Sequence, residues 1–142
     1  MSTSYMDIFM DPGSVAVIGA SRNTGRGSFN VIKNMMDFGF KGEIYPVNPL
    51  ADEIMGIKTY KDVKDIGKNI DLAIIATPRE TVPRVTEDCA ALGIKGAIVV
   101  PQGFADADAE GKALQDQLTQ IARDRGIRIL GPNTLGTVNA FS

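Results

Sequence analysis

The chain of 142 residues has no histidine, no tryptophan and one cysteine. Without histidine there is no imidazole general base, no His-assisted Ser or Cys nucleophile and no His metal ligand. Acid–base chemistry near neutral pH is left to a perturbed carboxylate, Lys or Cys. A single cysteine excludes disulfide frameworks and Cys-cluster zinc sites, and it fits a reducing compartment. No run approaches the ~20 apolar residues of a membrane helix. The opening Met1-Ser2-Thr3-Ser4-Tyr5-Met6-Asp7 lacks the basic and apolar regions of a signal peptide. The expectation is a cytoplasmic protein with no membrane partner. An excess charge of one sign is also missing: 15 basic against 17 acidic residues give a net charge of −2. With the basic residues scattered, a nucleic-acid surface is not expected.

What the chain does have is glycine, 15 residues, against an average near ~7%. Such enrichment points to loops where backbone passes close to something. The length predicts one domain spanning 1–142. Apolar, β-branched runs at Ser14–Gly19, Gly42–Val47, Asp71–Ala76, Gly96–Val100 and Ile127–Leu130 read as strands buried on both faces. Between them lie amphipathic segments. Phe29, Ile32, Met35 and Met36 share a helical face that Gly39 ends. Val82, Val85, Cys89 and Leu92 form a second stripe, with Thr81 as N-cap, Pro83 in the first turn and Gly93 past the end. A third helix, from about Asp108 to Gly126, buries Leu114, Leu118, Ile121 and Ala122. The weaker segment 48–70 is expected to hold helical turns near Ala51–Met55 and Lys61–Ile66. Strands alternating with helices predict right-handed βαβ units. The fold class is therefore α/β, a Rossmann-like three-layer domain with a five-stranded parallel sheet, whose ligand sits beyond the carboxyl ends of the strands.

The first strand-to-helix junction is Gly19-Ala20-Ser21-Arg22-Asn23-Thr24-Gly25-Arg26-Gly27-Ser28. A glycine turn opening a helix presents free N–H groups and the positive end of the helix dipole, which suit phosphate. Ser21 and Thr24 add hydroxyl donors, while Arg22 and Arg26 add charge and bidentate geometry. Glycines could also serve only a tight turn, but such a turn has no use for two arginines. The dinucleotide fingerprint G-x-G-x-x-G is incomplete, because Ser21 replaces its second Gly. The second strand ends in Tyr45-Pro46-Val47-Asn48-Pro49, with no acid for a ribose. NAD is disfavoured, and NADP or coenzyme A remains. Asn48-Pro49, Thr77-Pro78-Arg79 and Val100-Pro101-Gln102-Gly103 end three strands with stiff backbone and uncharged donors or acceptors. One such Pro could simply end a strand. Three at one sheet edge favour backbone hydrogen bonds to an adenine and a pantetheine arm, hence coenzyme A. Gly131-Pro132-Asn133-Thr134-Leu135-Gly136 after the last strand is either a plain exit turn or a loop carrying Asn133 and Thr134 to the reactive end.

In order and spacing, five blocks resemble the N-terminal CoA-binding domain of NDP-forming (ADP-forming) acyl-CoA synthetases, relatives of the succinyl-CoA synthetase α subunit. They are Ser-Val-Ala-Val-Ile-Gly-Ala-Ser-Arg at 14–22, Lys-Gly-Glu-Ile-Tyr-Pro-Val-Asn-Pro at 41–49, Asp-Leu-Ala-Ile-Ile-Ala-Thr-Pro at 71–78, Lys-Gly-Ala-Ile-Val-Val at 95–100 and Gly-Ile-Arg-Ile-Leu-Gly-Pro-Asn-Thr-Leu-Gly at 126–136. The resemblance implies that Gly19, Ser21, Arg22, Asn23, Thr24 and Gly25 contact the CoA phosphates. It also implies that Val47, Asn48, Pro49, Thr77, Pro78, Val100, Pro101 and Gln102 line nucleotide and pantetheine, with Asn133 and Thr134 near the thiol. Where the family often has Lys after Asn-Pro this chain has Leu50, so charge for the 3′-phosphate falls to Arg22 or Arg26. The family reaction makes an acyl phosphate, passes phosphate through a His to ADP, and captures the acyl group on CoA. With no His in this chain, that residue and the ATP-grasp functions are expected in another domain or a partner subunit. The alternative is a stand-alone regulatory domain binding CoA or NAD(P). A reductase using NADP is a further reading, but no Tyr-Lys or Cys pair is placed as its proton donor.

Other conspicuous residues have plainer explanations. Cys89 lies on an apolar stripe and reads as an inert buried thiol, while Phe29, Met35 and Met36 read as core. Asp106, Asp108 and Glu110 begin a helix, where they offset its dipole. Arg123, Asp124 and Arg125 read as a solvated helix end. Arg79 is either a salt-bridged surface residue or a phosphate contact, and the second is the expectation. No catalytic or metal-ligating residue is assigned.

Overall fold

A computed structural model describes residues 5–20 and 30–132. The elements follow in the order α1 (Tyr5–Met10), β1 (Ser14–Ile18), α2 (Val31–Asp37), β2 (Glu43–Val47), β3 (Glu53–Ile54), β4 (Ile57–Lys58), β5 (Leu72–Ile75), α3 (Val82–Ala91), β6 (Gly96–Val99), α4 (Ala109–Arg125) and β7 (Arg128–Leu130). Five strands form one parallel sheet in the order β2-β1-β5-β6-β7. All five residues of β1 and all four of β6 are buried, as strands covered on both faces must be.

Alternation along each strand divides the core into two layers. Ala16, Ile18, Ala73, Ile75, Ala97 and Val99 face α3 and α4, packing with Val82, Val85, Cys89, Phe104 and Leu118. Val15, Val17, Leu72 and Ile98 face the other way, against Ile32 of α2 and Ile8 and Phe9 of α1. The three-layer α/β expectation is what the structure shows. Pro46 stands inside β2 without breaking the sheet because β2 is an edge strand.

Gly39, Gly93 and Gly126 all follow helices with positive φ, as expected. Asn30 caps α2 by accepting from Lys33 N at 2.9 Å, and Asp108 caps α4 by accepting from Gly111 N at 2.7 Å. Thr81 differs from expectation. Its hydroxyl donates to Pro78 O at 2.7 Å within a 3-10 turn, Arg79–Thr81, and makes no cap bond to α3. Segment 51–58 also differs. Ala51–Met55 is not helical: β3 and β4 pair as a hairpin whose turn residues Met55 and Gly56 both have positive φ, 52° and 80°. Near Lys61–Ile66 the helical turn is a short 3-10 turn, Val63–Asp65, capped by Asp62. Met36 is 45% exposed rather than core, because α2 turns Ile32 and Met35 inward instead. Phe29 lies outside the described residues.

Candidate functional site

Strand order reverses between β1 and β5: the chain steps from β1 outward to β2, then returns to build β5, β6 and β7 on the other side. At such a switch point the connections diverge to opposite faces and leave a crevice beyond the carboxyl ends. Val47, Ile18, Ile75 and Val99 stand in register across four strands. The next residues, Asn48, Gly19, Ala76 and Val100, therefore begin the lip of this crevice side by side. Registration brings together junctions that are remote in sequence.

Gly19 has φ +85°, and a Cβ there would lie 2.8 Å from both the carbonyl carbon and oxygen of Ala76. Only glycine allows the β1 exit to approach the β5 exit so closely. Gly19 N and Ala20 N both donate to Val47 O, at 3.0 and 3.1 Å. The Asn48 side chain completes the tie, donating from Nδ2 to Ala20 O at 2.8 Å and accepting from Leu50 N on Oδ1 at 2.8 Å. Its amide thus fixes the entry to the glycine loop. Thr77 follows Ala76 with its Oγ1 buried and no hydrogen-bond partner among the described residues. A buried hydroxyl left unpaired costs about 1–3 kcal/mol, so Thr77 offers a donor and acceptor that none of the described residues uses.

Of the remaining expected residues, Val47 is buried, Val100 and Pro101 are half-buried, and Pro49, Pro78 and Gln102 are exposed on the same edge. Leu50 is 77% exposed. Ser21, Arg22, Asn23, Thr24, Gly25, Arg26, Asn133 and Thr134 lie outside the described residues.

Arg79 is salt-bridged, one of the two alternatives its sequence context leaves open. Its guanidinium donates to Gly103 O and pairs with Asp108 at 3.0 Å, Glu110 at 3.3 Å and Glu80 at 3.3 Å. The charge is matched within the protein, which is the salt-bridged alternative. Asp108 responds accordingly: the Arg79 guanidinium first, then the Gly111 N–H, hold its carboxyl below the usual range.

The loop joining β6 to α4 is anchored by groups that sequence reasoning missed. Phe104 is fully buried, Ala105 N donates to Gln115 Oε1 at 3.1 Å, and a Cβ on Gly111 would meet Phe104 O at 2.1 Å. The available signal was Gly111 itself, since glycine inside a helix costs about 1 kcal/mol and so marks close packing. Cys89 is buried as expected, and burial pushes its thiol up to about 12. Among the described residues no His, Cys, Asp or Glu group could hold a metal ion, and no helix is long and apolar enough to cross a membrane.

Comparison with known proteins adds an independent line. The family described as CoA binding domain matches residues 13–140. An ADP-forming acetate–CoA ligase II of Archaeoglobus fulgidus is 48% identical over 133 residues, covering 94% of this chain and 20% of the relative. The solved dinucleotide-forming acetyl-coenzyme A synthetase 1 of Ca. Korarchaeum cryptofilum, in complex with phosphate and ADP, superposes with a TM-score of 0.83. It is 36% identical over 94% of this chain and 28% of its own. A conserved hypothetical protein from Pyrococcus furiosus superposes with a TM-score of 0.62 at 25% identity, over 82% of this chain and 90% of its own.

Proposed function

The chain belongs to the CoA binding domain family, and from that premise we propose that it supplies the coenzyme A site of an ADP-forming acyl-CoA synthetase. It spans about a fifth of the length of the Archaeoglobus ligase it matches. The ligase reaction therefore draws on other domains or a partner subunit, which hold the ATP-grasp functions and a phosphate-carrying His that these 142 residues lack. The observation that carries the reading is the lip at the switch point. Gly19 brings two strand exits into contact there, and the buried Thr77 hydroxyl has no partner among the described residues.

In this reading the phosphates of CoA lie against the glycine loop, Gly19, Ser21, Arg22, Asn23, Thr24, Gly25 and Arg26, whose N–H groups, hydroxyls and arginines offset their charge. Val47, Asn48 and Pro49 line the nucleotide. Thr77, Pro78, Val100, Pro101 and Gln102 line the pantetheine arm, and Asn133 and Thr134 lie toward the thiol. The contribution of this domain is to hold the thiol bearer; the acyl and phosphoryl steps need groups it does not contain.

Calorimetric titration with CoA, dephospho-CoA, NADP and NAD tests the proposal. Binding of CoA in preference to NADP and NAD is expected, and tight NADP binding without CoA binding overturns it. Arg22→Ala is expected to weaken CoA by about 1–3 kcal/mol through loss of a charge-assisted phosphate bond. Unchanged affinity removes Arg22 from the phosphate site.

One comparison favours a second reading, a stand-alone domain that binds CoA or NAD(P) and signals to a partner: the Pyrococcus furiosus protein is matched over 90% of its own length. The size of the native product separates the two, because the ligase reading requires a longer chain or a co-purifying subunit.

A further inference from the structure

We propose that Arg79 is a positioning residue that holds the two sides of the CoA rim, Thr77–Pro78 and Val100–Gln102, at a fixed separation. The inference rests on the reading of this edge as the CoA site. Arg79 follows Pro78 directly, and the carbonyl it grips belongs to Gly103, the residue after Gln102. All three guanidinium nitrogens are used. Nη1 bonds Gly103 O and Asp108 Oδ1, Nη2 reaches Asp108 Oδ2 and Glu110 Oε2 at 3.3 Å each, and Nε reaches Glu80 Oε1 at 3.3 Å. A planar fork spreads five donors over three nitrogens and so spans separated acceptors, whereas the three donors of an ammonium share one nitrogen.

The parts that receive Arg79 are shaped for it. Gly103 has φ +96°, and a Cβ there would stand 3.1 Å from Arg79 Cδ and 3.3 Å from Nη1, so a side chain would crowd the strap. Asp108 serves twice, pairing with Arg79 and capping α4 through Gly111 N. Gly111 lets the first turn of α4 press on the carbonyls of Gly103 and Phe104, and buried Phe104 pins the loop from beneath. The strap thus joins the turn after β5 to a loop already seated on the core. Three carboxylates around one guanidinium leave the cluster net negative. That field repels a phosphate.

The test titrates CoA into wild type, Arg79→Ala, Arg79→Lys and Asp108→Asn. Arg79→Ala is expected to weaken CoA roughly five- to tenfold. Lys at 79 does not restore affinity, because its three N–H donors radiate from one nitrogen and cannot reach Gly103, Asp108 and Glu110 together. Asp108→Asn carries the decisive sign. It keeps a capping oxygen and removes one of the three carboxylates around the arginine, so affinity falls if Arg79 positions the rim and rises if Arg79 binds phosphate. Tighter binding by Asp108→Asn, or wild-type affinity in Arg79→Ala, overturns the proposal. Amide hydrogen exchange in the ligand-free protein gives a readout independent of CoA. Faster exchange confined to 76–78 and 100–103 in Arg79→Ala supports the strap, and unchanged exchange there overturns it even if wild type binds no CoA.

Discussion

At the amino ends of the parallel strands, polar groups are consumed within the chain. Ser14 Oγ accepts from Asp71 N at 2.9 Å and donates to Asn69 O at 3.2 Å, and the Asp71 carboxylate accepts from Gly13 N at 2.8 Å. Helix α1 closes over this end, with Ile8 so near that a Cβ on Gly96 would meet its Cγ2 at 2.5 Å. At the carboxyl ends of the same strands, Gly19 holds backbone against backbone, and Thr77 Oγ1 has no partner among the described residues. The two ends differ because βαβ connections send every following helix away from the carboxyl edge with its N-terminus pointing back at it. One end pairs its polar groups within the chain, and the other is the edge on which the proposed CoA site draws.

Substitutions can break this comparison, and the largest effect is expected at Gly19. Gly19→Ala puts a Cβ against Ala76 at positive φ and is expected to cost about 1–3 kcal/mol of stability. It should also weaken CoA roughly tenfold or more, read by urea denaturation and calorimetry. Wild-type behaviour in both would show that the close approach of β1 and β5 is dispensable. Thr77→Val is expected to move the two readouts in opposite directions. Removing a buried hydroxyl that no described residue pairs with is expected to leave stability unchanged or raised by up to about 1–3 kcal/mol, while CoA affinity falls several-fold. A loss of stability with unchanged affinity would place Thr77 with the amino-end residues instead.

Asp71→Ala is the matching change at the other end. A loss of about 0.5–1.5 kcal/mol with CoA affinity unaltered is expected, and weakened CoA binding would erase the distinction between the ends. The smallest effect concerns pH. Arg79 and Gly111 hold the Asp108 carboxyl below its ordinary value, so the folded state binds this proton less readily than the unfolded state. Its contribution to stability is complete above the unfolded value of about 3.9 and disappears as pH falls through the lower folded value. Asp108→Asn should lack that acid-side loss when stability is followed from neutral to acidic pH.

Much of this was legible in local pattern. The β-branched runs marked all five strands of the main sheet, and glycines marked the helix ends. The proline at 46 was compatible with a strand only because that strand is an edge. The hairpin at Glu53–Lys58 was missed because Met55, not a turn former, takes φ 52° beside Gly56. The first half of the candidate lip was readable, since Gly19, Asn48 and Thr77 each close an apolar run. The partners of Arg79 were not, because Gly103 and Asp108 lie 24 and 29 positions away.

The sequence by itself determined the alternation of elements, the glycine at the first junction and the absence of any imidazole chemistry, because these are properties of composition and short-range periodicity. Tertiary structure decided the strand order, the row Val47, Ile18, Ile75 and Val99, the burial of the Thr77 hydroxyl and the partners of Arg79. Hydrogen-bond and ion-pair partners are chosen by which loops the sheet register brings within a few ångströms, and that register is a property of the folded sheet.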